Sequence, residues 1–404
     1  MKISARSVPV LMLHSTGHPP ALAPHRWLQR LSTPPELLEA TFAHWKRAGY
    51  ATLGLDELAE FVERGRDVPR RCLVLTLDDG YLDNWVALEP LLRRYGFRAT
   101  VFMSTDFIDP RAVVRPTIEA SGDSTALAWK GYLSWEEMRR MEQGGAVSMG
   151  SHARSHTWYF VSDRIVDYYR PENALTQPRS RLRFLWLNAN ESRKPFALDE
   201  MTDASIPWGT PIYEYAPAVV ARRFVPDPVE SAALASFVAE RGGAGFFGTP
   251  GWKDTLDDEA RRRRDGAKGG GSYESDEARM ARVRDEIEGS GRILSSGLGR
   301  DVAFFSFPQG ARDDAAESMA SEAGYKMWTR SAPGGERNRP ATGERRIYRC
   351  GSGYGAFGQG RAIALEVWSQ RLAIEAHAGR AWARLASKVL AAGQLVWSAG
   401  RRRG

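Results

Sequence analysis

Cysteine is nearly absent: Cys72 and Cys350 are the two in 404 residues, and they lie far apart. A disulfide framework needs more, so both thiols read as free and buried, in keeping with a reducing compartment. Long apolar runs are missing as well. No stretch approaches the roughly 20 apolar residues that cross a bilayer, and Met1-Lys-Ile-Ser-Ala-Arg-Ser7 lacks the apolar centre of a signal peptide. The expectation is a cytoplasmic protein. Also lacking is any nucleic-acid module with interleaved basic and aromatic residues. The formal charge of +7 and pI of about 9.4 would favour an anionic partner or surface. That surplus gathers in Arg261 to Arg264 and Arg401 to Arg403, which read as a solvated loop and tail, so no nucleic-acid partner is expected.

What is present is the composition of a globular protein, 43% apolar and 26% charged, long enough for one large domain or two ordinary ones. Its centre of organisation is Cys72-Leu-Val-Leu-Thr-Leu-Asp78-Asp79-Gly80. A short apolar run reads as a buried strand that delivers two carboxylates to its carboxyl end. Adjacent strand residues face opposite ways, so both acids serve one site only if the strand has already ended, a break that Gly80 permits. Paired carboxylates repel one another unless a cation or hydrogen bonds compensate. His152-Ala-Arg-Ser-His156 offers partners: histidines four apart share one side of a helical turn and can reach one ion. One carboxylate and two imidazoles leave an open position on zinc, the arrangement of catalytic sites, and the second carboxylate would then take a proton from the attacking water.

The rest alternates between strand and helix. Strands are expected at Val8–Leu13, Ala99–Met103, Ala146–Met149, Val302–Phe307, Lys326–Thr329 and Arg346–Arg349. Helices are expected at Pro34–Tyr50, at Asp56–Gly65, through Trp85 to Tyr95, from the capping box Ser134-Trp-Glu-Glu137, at Ser275–Leu298 and at Asp314–Ala323. Such alternation argues for a parallel sheet or barrel with helices outside, and for chemistry at the strands' carboxyl ends. His14, Asp78, Asp79, His152 and the Pro308-Gln309-Gly310 turn all fall there. Between about Tyr159 and Gly271 the alternation fails. That proline- and aromatic-rich stretch reads as a folded cap, closed by a linker-like Lys268-Gly-Gly-Gly-Ser272. An Ala-rich helical tail follows, with Trp368, Leu372, Trp382, Leu385 and Val389 on one stripe; packing on the barrel is the expectation, with membrane-surface contact as an alternative.

At these residues the sequence resembles the polysaccharide deacetylase family, the NodB-homology or carbohydrate esterase family 4 group. The family motif Thr-Phe-Asp-Asp-Gly stands as Thr76-Leu77-Asp78-Asp79-Gly80, and His-Ser/Thr-x-x-His as His152-Ala-Arg-Ser-His156. The arginine that usually precedes Pro-x-Gly is replaced by Ser306 in Ser306-Phe307-Pro308-Gln309-Gly310, as in the circularly permuted branch resembling poly-N-acetylglucosamine deacetylases. Leu11-Met12-Leu13-His14 looks like that branch's Leu-x-Tyr-His segment. The likeness covers roughly residues 8 to 157 and 273 to 350. It implies an α/β fold, an irregular (β/α) barrel with a large insertion and a helical tail. Four parts are expected: 1–158 and 273–355 as the barrel, 159–272 as the cap, and 356–404 as a basic helical tail.

The resemblance also implies hydrolysis of N-acyl groups on a saccharide. Asp79, His152 and His156 would bind one divalent metal ion, zinc; Asp78 would be the general base and His14 the general acid. Pro308 and a backbone N–H near Gln309 would meet the oxyanion or the substrate. The loss of the arginine leaves the tuning of Asp78 without an owner. Trp208 is a candidate for sugar stacking, as are Tyr213 and Trp252, although aromatics beside prolines are more often local core. Two other readings stay open: an amidase or deformylase of the same fold acting on a small or lipid-linked substrate, and a carbohydrate-binding protein with a degenerate site.

Overall fold

The computed structural model describes residues 6–121, 126–265, 270–331, 335–351 and 363–386. Short runs of leucine, valine and aromatics, too brief for helices, form its strands: β1 (Val10–Leu13), β2 (Ala51–Leu53), β3 (Cys72–Leu77), β4 (Ala99–Met103) and β5 (Val147–Ser151). After them come β6 (Trp158–Tyr168), β7 (Pro211–Pro217), β8 (Phe224–Pro226), β9 (Gly271–Tyr273), β10 (Phe304–Phe305), β11 (Met327–Ser331) and β12 (Arg346–Gly351).

The sheet runs β1-β12-β11-β10-β5-β4-β3-β2, and a further β1–β3 pairing closes seven of its strands into a barrel, with β2 attached to β3. Every pairing in it is parallel. All carboxyl ends therefore share one rim, and the strands can be apolar throughout because helices cover them. β3 shows this most fully, with all six residues buried. Helix Pro35–Arg47 buries Leu38, Phe42 and Trp45 on one face, and Leu55–Arg64 buries Leu58, Phe61 and Val62. Cys72 and Cys350 are free and buried, as expected.

Several expectations need correction. β2 was not anticipated: three residues carry too little pattern to read. The strand expected at Val302–Phe307 is regular only over Phe304–Phe305, because the chain turns towards Pro308. The helix expected at Ser275–Leu298 is interrupted by a π-helical segment, Asp285–Gly289, and the one leading to Tyr95 begins with another, Asn84–Leu88. Two stretches of the expected cap are sheet: β6 pairs with β7, and β8 with β9, both antiparallel. Residues 266–269 of the linker-like segment lie outside the described residues, but its end, Gly271–Tyr273, is a paired strand rather than free linker.

The tail helix Ile363–His377 packs against Pro35–Arg47, with the Tyr50 hydroxyl donating to Glu375. Leu372 is buried, whereas Trp368, Trp382 and Leu385 are 42%, 50% and 67% exposed, so the expected stripe is only partly covered. Val389 and Arg401 to Arg403 lie outside the described residues. Among the described residues no helix is long and apolar enough to cross a membrane.

Candidate metal centre and active-site cleft

β3 ends where Asp78 N–H donates to Leu13 O at 3.1 Å. The chain then enters the left-handed region at Asp79 (φ 76) and Gly80 (φ 72), so the two adjacent carboxylates no longer point to opposite faces. Gly80 is needed there, since an added Cβ would also meet the sulfur of buried Met103. The histidines arrive differently from expectation. β5 stops at Ser151, and residues 152–157 are loop, not helix. Ala153 (φ 61) and His156 (φ 41) bend this loop back on itself, bringing the ring centroids of His152 and His156 to 4.9 Å. Of the five non-glycine residues with positive φ among those described, four (Asp79, Ala153, His156 and Gln309) are at this rim. Backbone strain of this kind persists only where the surroundings impose it.

The imposing contacts are visible. Glu286, buried in the π-helical segment, accepts from Arg154 N at 3.1 Å, from Ser155 N at 2.9 Å and from the Ser155 hydroxyl. His152 Nδ1 bonds Ser306 O at 2.7 Å. A carbonyl only accepts, so Nδ1 carries the proton and Nε2 turns its lone pair to the carboxylates. Nε2 lies 3.4 Å from Asp79 Oδ1 and 3.9 Å from Asp78 Oδ2. His156 Nε2 is 3.1 Å from the same Asp79 oxygen.

One ligand atom each from Asp79, His152 and His156 lies within 4.8 Å of the others. Asp79 Oδ1 is buried without a hydrogen-bond partner. A buried orphan carboxylate oxygen facing two imidazoles suits a divalent cation, and the carboxylate and imidazole donors suit zinc or its neighbours. Burial opposes ionisation of Asp79, but His156 and His152 outweigh it and hold the carboxyl well below its ordinary value. Burial brings His156 down to about 4, leaving its imidazole neutral and able to ligate at neutral pH. His152 is pulled down by burial and raised further by Asp78 and Asp79, a net upward shift.

Asp78 has a partner that sequence reasoning missed. Arg349, on β12, donates from Nη1 to Oδ1 at 2.7 Å and from Nη2 to Oδ2 at 2.8 Å. Burial pushes the Asp78 carboxyl up, and Arg349, with His152 and His14, more than reverses it. The missing arginine before Pro308 is thus made good from another strand, with Ser306 Oγ accepting from Arg349 Nη2 at 3.1 Å. The expected strand Arg346–Arg349 was a usable signal, because an arginine inside a buried strand demands a carboxylate.

His14 follows β1 on the same rim, its carbonyl accepting from Asn84 Nδ2 at 3.0 Å. Gln309 lines the cleft together with Asp79 and His156, whereas Pro308 is buried in the turn beneath. Trp208 is elsewhere: its ring stacks on Tyr169 at 4.9 Å and packs into the apolar core, so it is not a cleft residue. The cleft's other walls include Trp27, Tyr81, Tyr132 and, from the stretch after β6, Arg181, Arg183, Phe184 and Leu187.

The parallel barrel thus presents an Asp–His–His cluster that could hold a metal ion, beside an arginine-held carboxylate, on its carboxyl rim. Residues 65–185 match the family model described as polysaccharide deacetylase. YxkH from Bacillus subtilis (strain 168), which carries the same family description, is 28% identical over 149 residues, 37% of this chain and 43% of that protein. The match thus spans less than half of that relative's length. Among solved structures, a de-N-acetylase from Aggregatibacter actinomycetemcomitans is 16% identical with a TM-score of 0.48, covering 85% of this chain and 93% of that one. IcaB from Ammonifex degensii is 12% identical with a TM-score of 0.48, covering 92% and 100%. The matched stretch, residues 65–185, holds Asp78, Asp79, His152 and His156, and it is over this stretch that the chain is similar to polysaccharide deacetylases.

Proposed function

We propose that the protein is a metal-dependent hydrolase that removes an N-acyl group from a saccharide or glycan precursor. The observation that carries this is the meeting of Asp79, His152 and His156 beside an Asp78 gripped by Arg349. Asp79, His152 and His156 would hold one divalent ion, zinc by its donors. When bound, that ion supplies Lewis-acid polarisation of the acyl carbonyl and of the attacking water.

The chain's own residues do the rest. Asp78, kept ionised by Arg349, takes the proton from the attacking water. It lies beside the ligand set, and Arg349 holds both of its oxygens away from that set. His14 gives a proton to the departing nitrogen, which leaves poorly as an amide anion. The Gln309 turn, at φ 54 on the cleft wall, offers its backbone to the developing oxyanion. Arg181, Arg183, Phe184, Leu187, Ala197 and Met201 line the cleft, which supports reading 159–272 as a cap on a barrel made of 1–158 and 273–355, with 356–404 as a tail.

Metal content by mass spectrometry, paired with acetate release from N-acetylglucosamine oligomers, tests the reading in wild type and His156→Ala. About one metal ion per chain, lost in the variant together with acetate release, is the expected result. Metal-free wild type would end it. Metal without acetate would move the search to formyl and other acyl groups on smaller substrates.

A further inference from the structure

Arg183 forms no ion pair with a carboxylate among the described residues. Among the described residues its guanidinium makes one hydrogen bond, Nη1 to Ser180 O at 2.9 Å, and no ion pair. Its Cζ lies over the Trp27 ring, 3.8 Å from the centroid. Most arginines around it are matched with acids: Arg154 with Asp106 and Asp285, Arg170 with Asp167, Arg193 with Glu200. The contrast matters because Arg183 is not on the outer surface. It lines the same cleft as Asp79 and His156, and Arg181 lines it beside Arg183.

Holding a guanidinium in such a place is unfavourable unless something compensates, and burial here works against its charge. The Asp79 carboxylate is committed to the two histidines. Tyr81 and Tyr132 offer only hydroxyls whose pKa burial drives far up, so neither becomes an anion near neutrality. Among the described residues the cation on the cleft wall therefore has no ion-pair partner of its own: the Asp79 charge acts on it only through space and is shared with two histidines. The Trp27 ring holds the guanidinium in place, and among the described residues only Nη1 is used by a hydrogen bond, leaving other N–H donors for phosphate or carboxylate oxygens.

We infer that Arg183, with Arg181 beside it, is a specificity determinant for an anionic substituent, a phosphate or a carboxylate, carried by the saccharide whose acyl group meets Asp79 and His156. The inference rests on the hydrolase reading above for the identity of the acyl site, but the anion site stands on its own geometry. It makes the substrate a charged sugar rather than a neutral homopolymer of N-acetylglucosamine.

Amine release from N-acetylglucosamine, N-acetylglucosamine 1-phosphate and N-acetylmuramic acid by the zinc-loaded full chain reads the preference. At least about a tenfold higher kcat/KM for one charged sugar than for the neutral one is expected, and which one identifies phosphate or carboxylate. Arg183→Gln should erase the preference and Arg183→Lys should keep part of it, because lysine retains the charge but not the paired geometry. Calorimetric titration of both charged sugars into wild type and Arg183→Gln gives the same comparison without turnover. Turnover with no advantage for either charged sugar would overturn the inference and leave the hydrolase reading intact. Binding of a charged sugar that depends on Arg183, without any amine release, would support the anion site and overturn the hydrolase reading. Absence of both would overturn both.

Discussion

Arg349 grips both carboxylate oxygens of Asp78 across 271 residues of chain. The pair is almost wholly buried, with side-chain exposures of 8% and 5%. A buried pair of this kind is costly to break from one side, because the partner is left as an uncompensated charge. Removing the cation leaves the upward push of burial on Asp78 unopposed except by the histidines. Arg349→Gln should therefore move the acid limb of kcat/KM to higher pH and lower the rate at neutral pH by about 10- to 100-fold. Arg349→Lys should recover only part, lacking the two-pronged contact. A pH–rate profile of the three proteins checks this; unchanged limbs would remove Arg349 from the catalytic account.

Glu286 predicts an effect on metal affinity with no contact to the ligands' side chains. It holds the backbone of Arg154 and Ser155, the two residues before His156. Glu286→Gln replaces an ionised acceptor with an amide that can receive fewer N–H donors. Zinc affinity should fall by about 10-fold or more, measured by competition with a chromophoric chelator. Equal affinities would mean that the loop holds its bend by other contacts.

Asp83 offers a pH test separate from catalysis. It is buried, and accepts from the Ser15 hydroxyl at 2.5 Å, from Thr16 N at 2.9 Å and from Asn84 Nδ2 at 2.9 Å. Burial nevertheless raises its pKa from 3.8 to about 6, the donors offsetting it only in part. A carboxyl raised on folding contributes stability that is present below its unfolded pKa and is lost as pH rises through the folded value. Wild type should thus lose stability relative to Asp83→Asn by on the order of 2–3 kcal/mol between about pH 4 and pH 7. Urea melts at both values would show it; parallel curves would contradict it.

Gly80→Ala tests the turn that separates the two aspartates. The substitution meets both a positive φ of 72 and the buried Met103 sulfur. A destabilisation of about 2–4 kcal/mol is expected from strain and overpacking together, with weakened metal binding because Asp79 is the preceding residue. Chemical denaturation and metal titration of the variant decide it. A stable variant with normal metal affinity would show that the turn tolerates a side chain.

By itself the sequence determined the alternation of strands and helices, since buried parallel strands are continuous apolar runs and amphipathic helices repeat at their own period. It also marked Asp78, Asp79, His152 and His156 as chemical groups at strand ends, because polar residues that break an apolar run stand out locally. Other features depended on contacts no local pattern carries. β2 is three residues long and exists by pairing with β3. The histidine loop looked helical from its spacing and is not, because Glu286 and Ser306 capture its backbone and ring from distant segments. The arginine missing before Pro308 returns on β12, which barrel closure through the β1–β3 pairing brings within reach of Asp78 across β1. Trp208, a candidate for sugar stacking that its neighbouring prolines also made a candidate for local core, packs on Tyr169, whereas Arg183 gave no signal at all. Spacing along the chain reports which groups are near in sequence; which groups share a dry site is decided when the barrel closes and burial makes each unmatched charge costly.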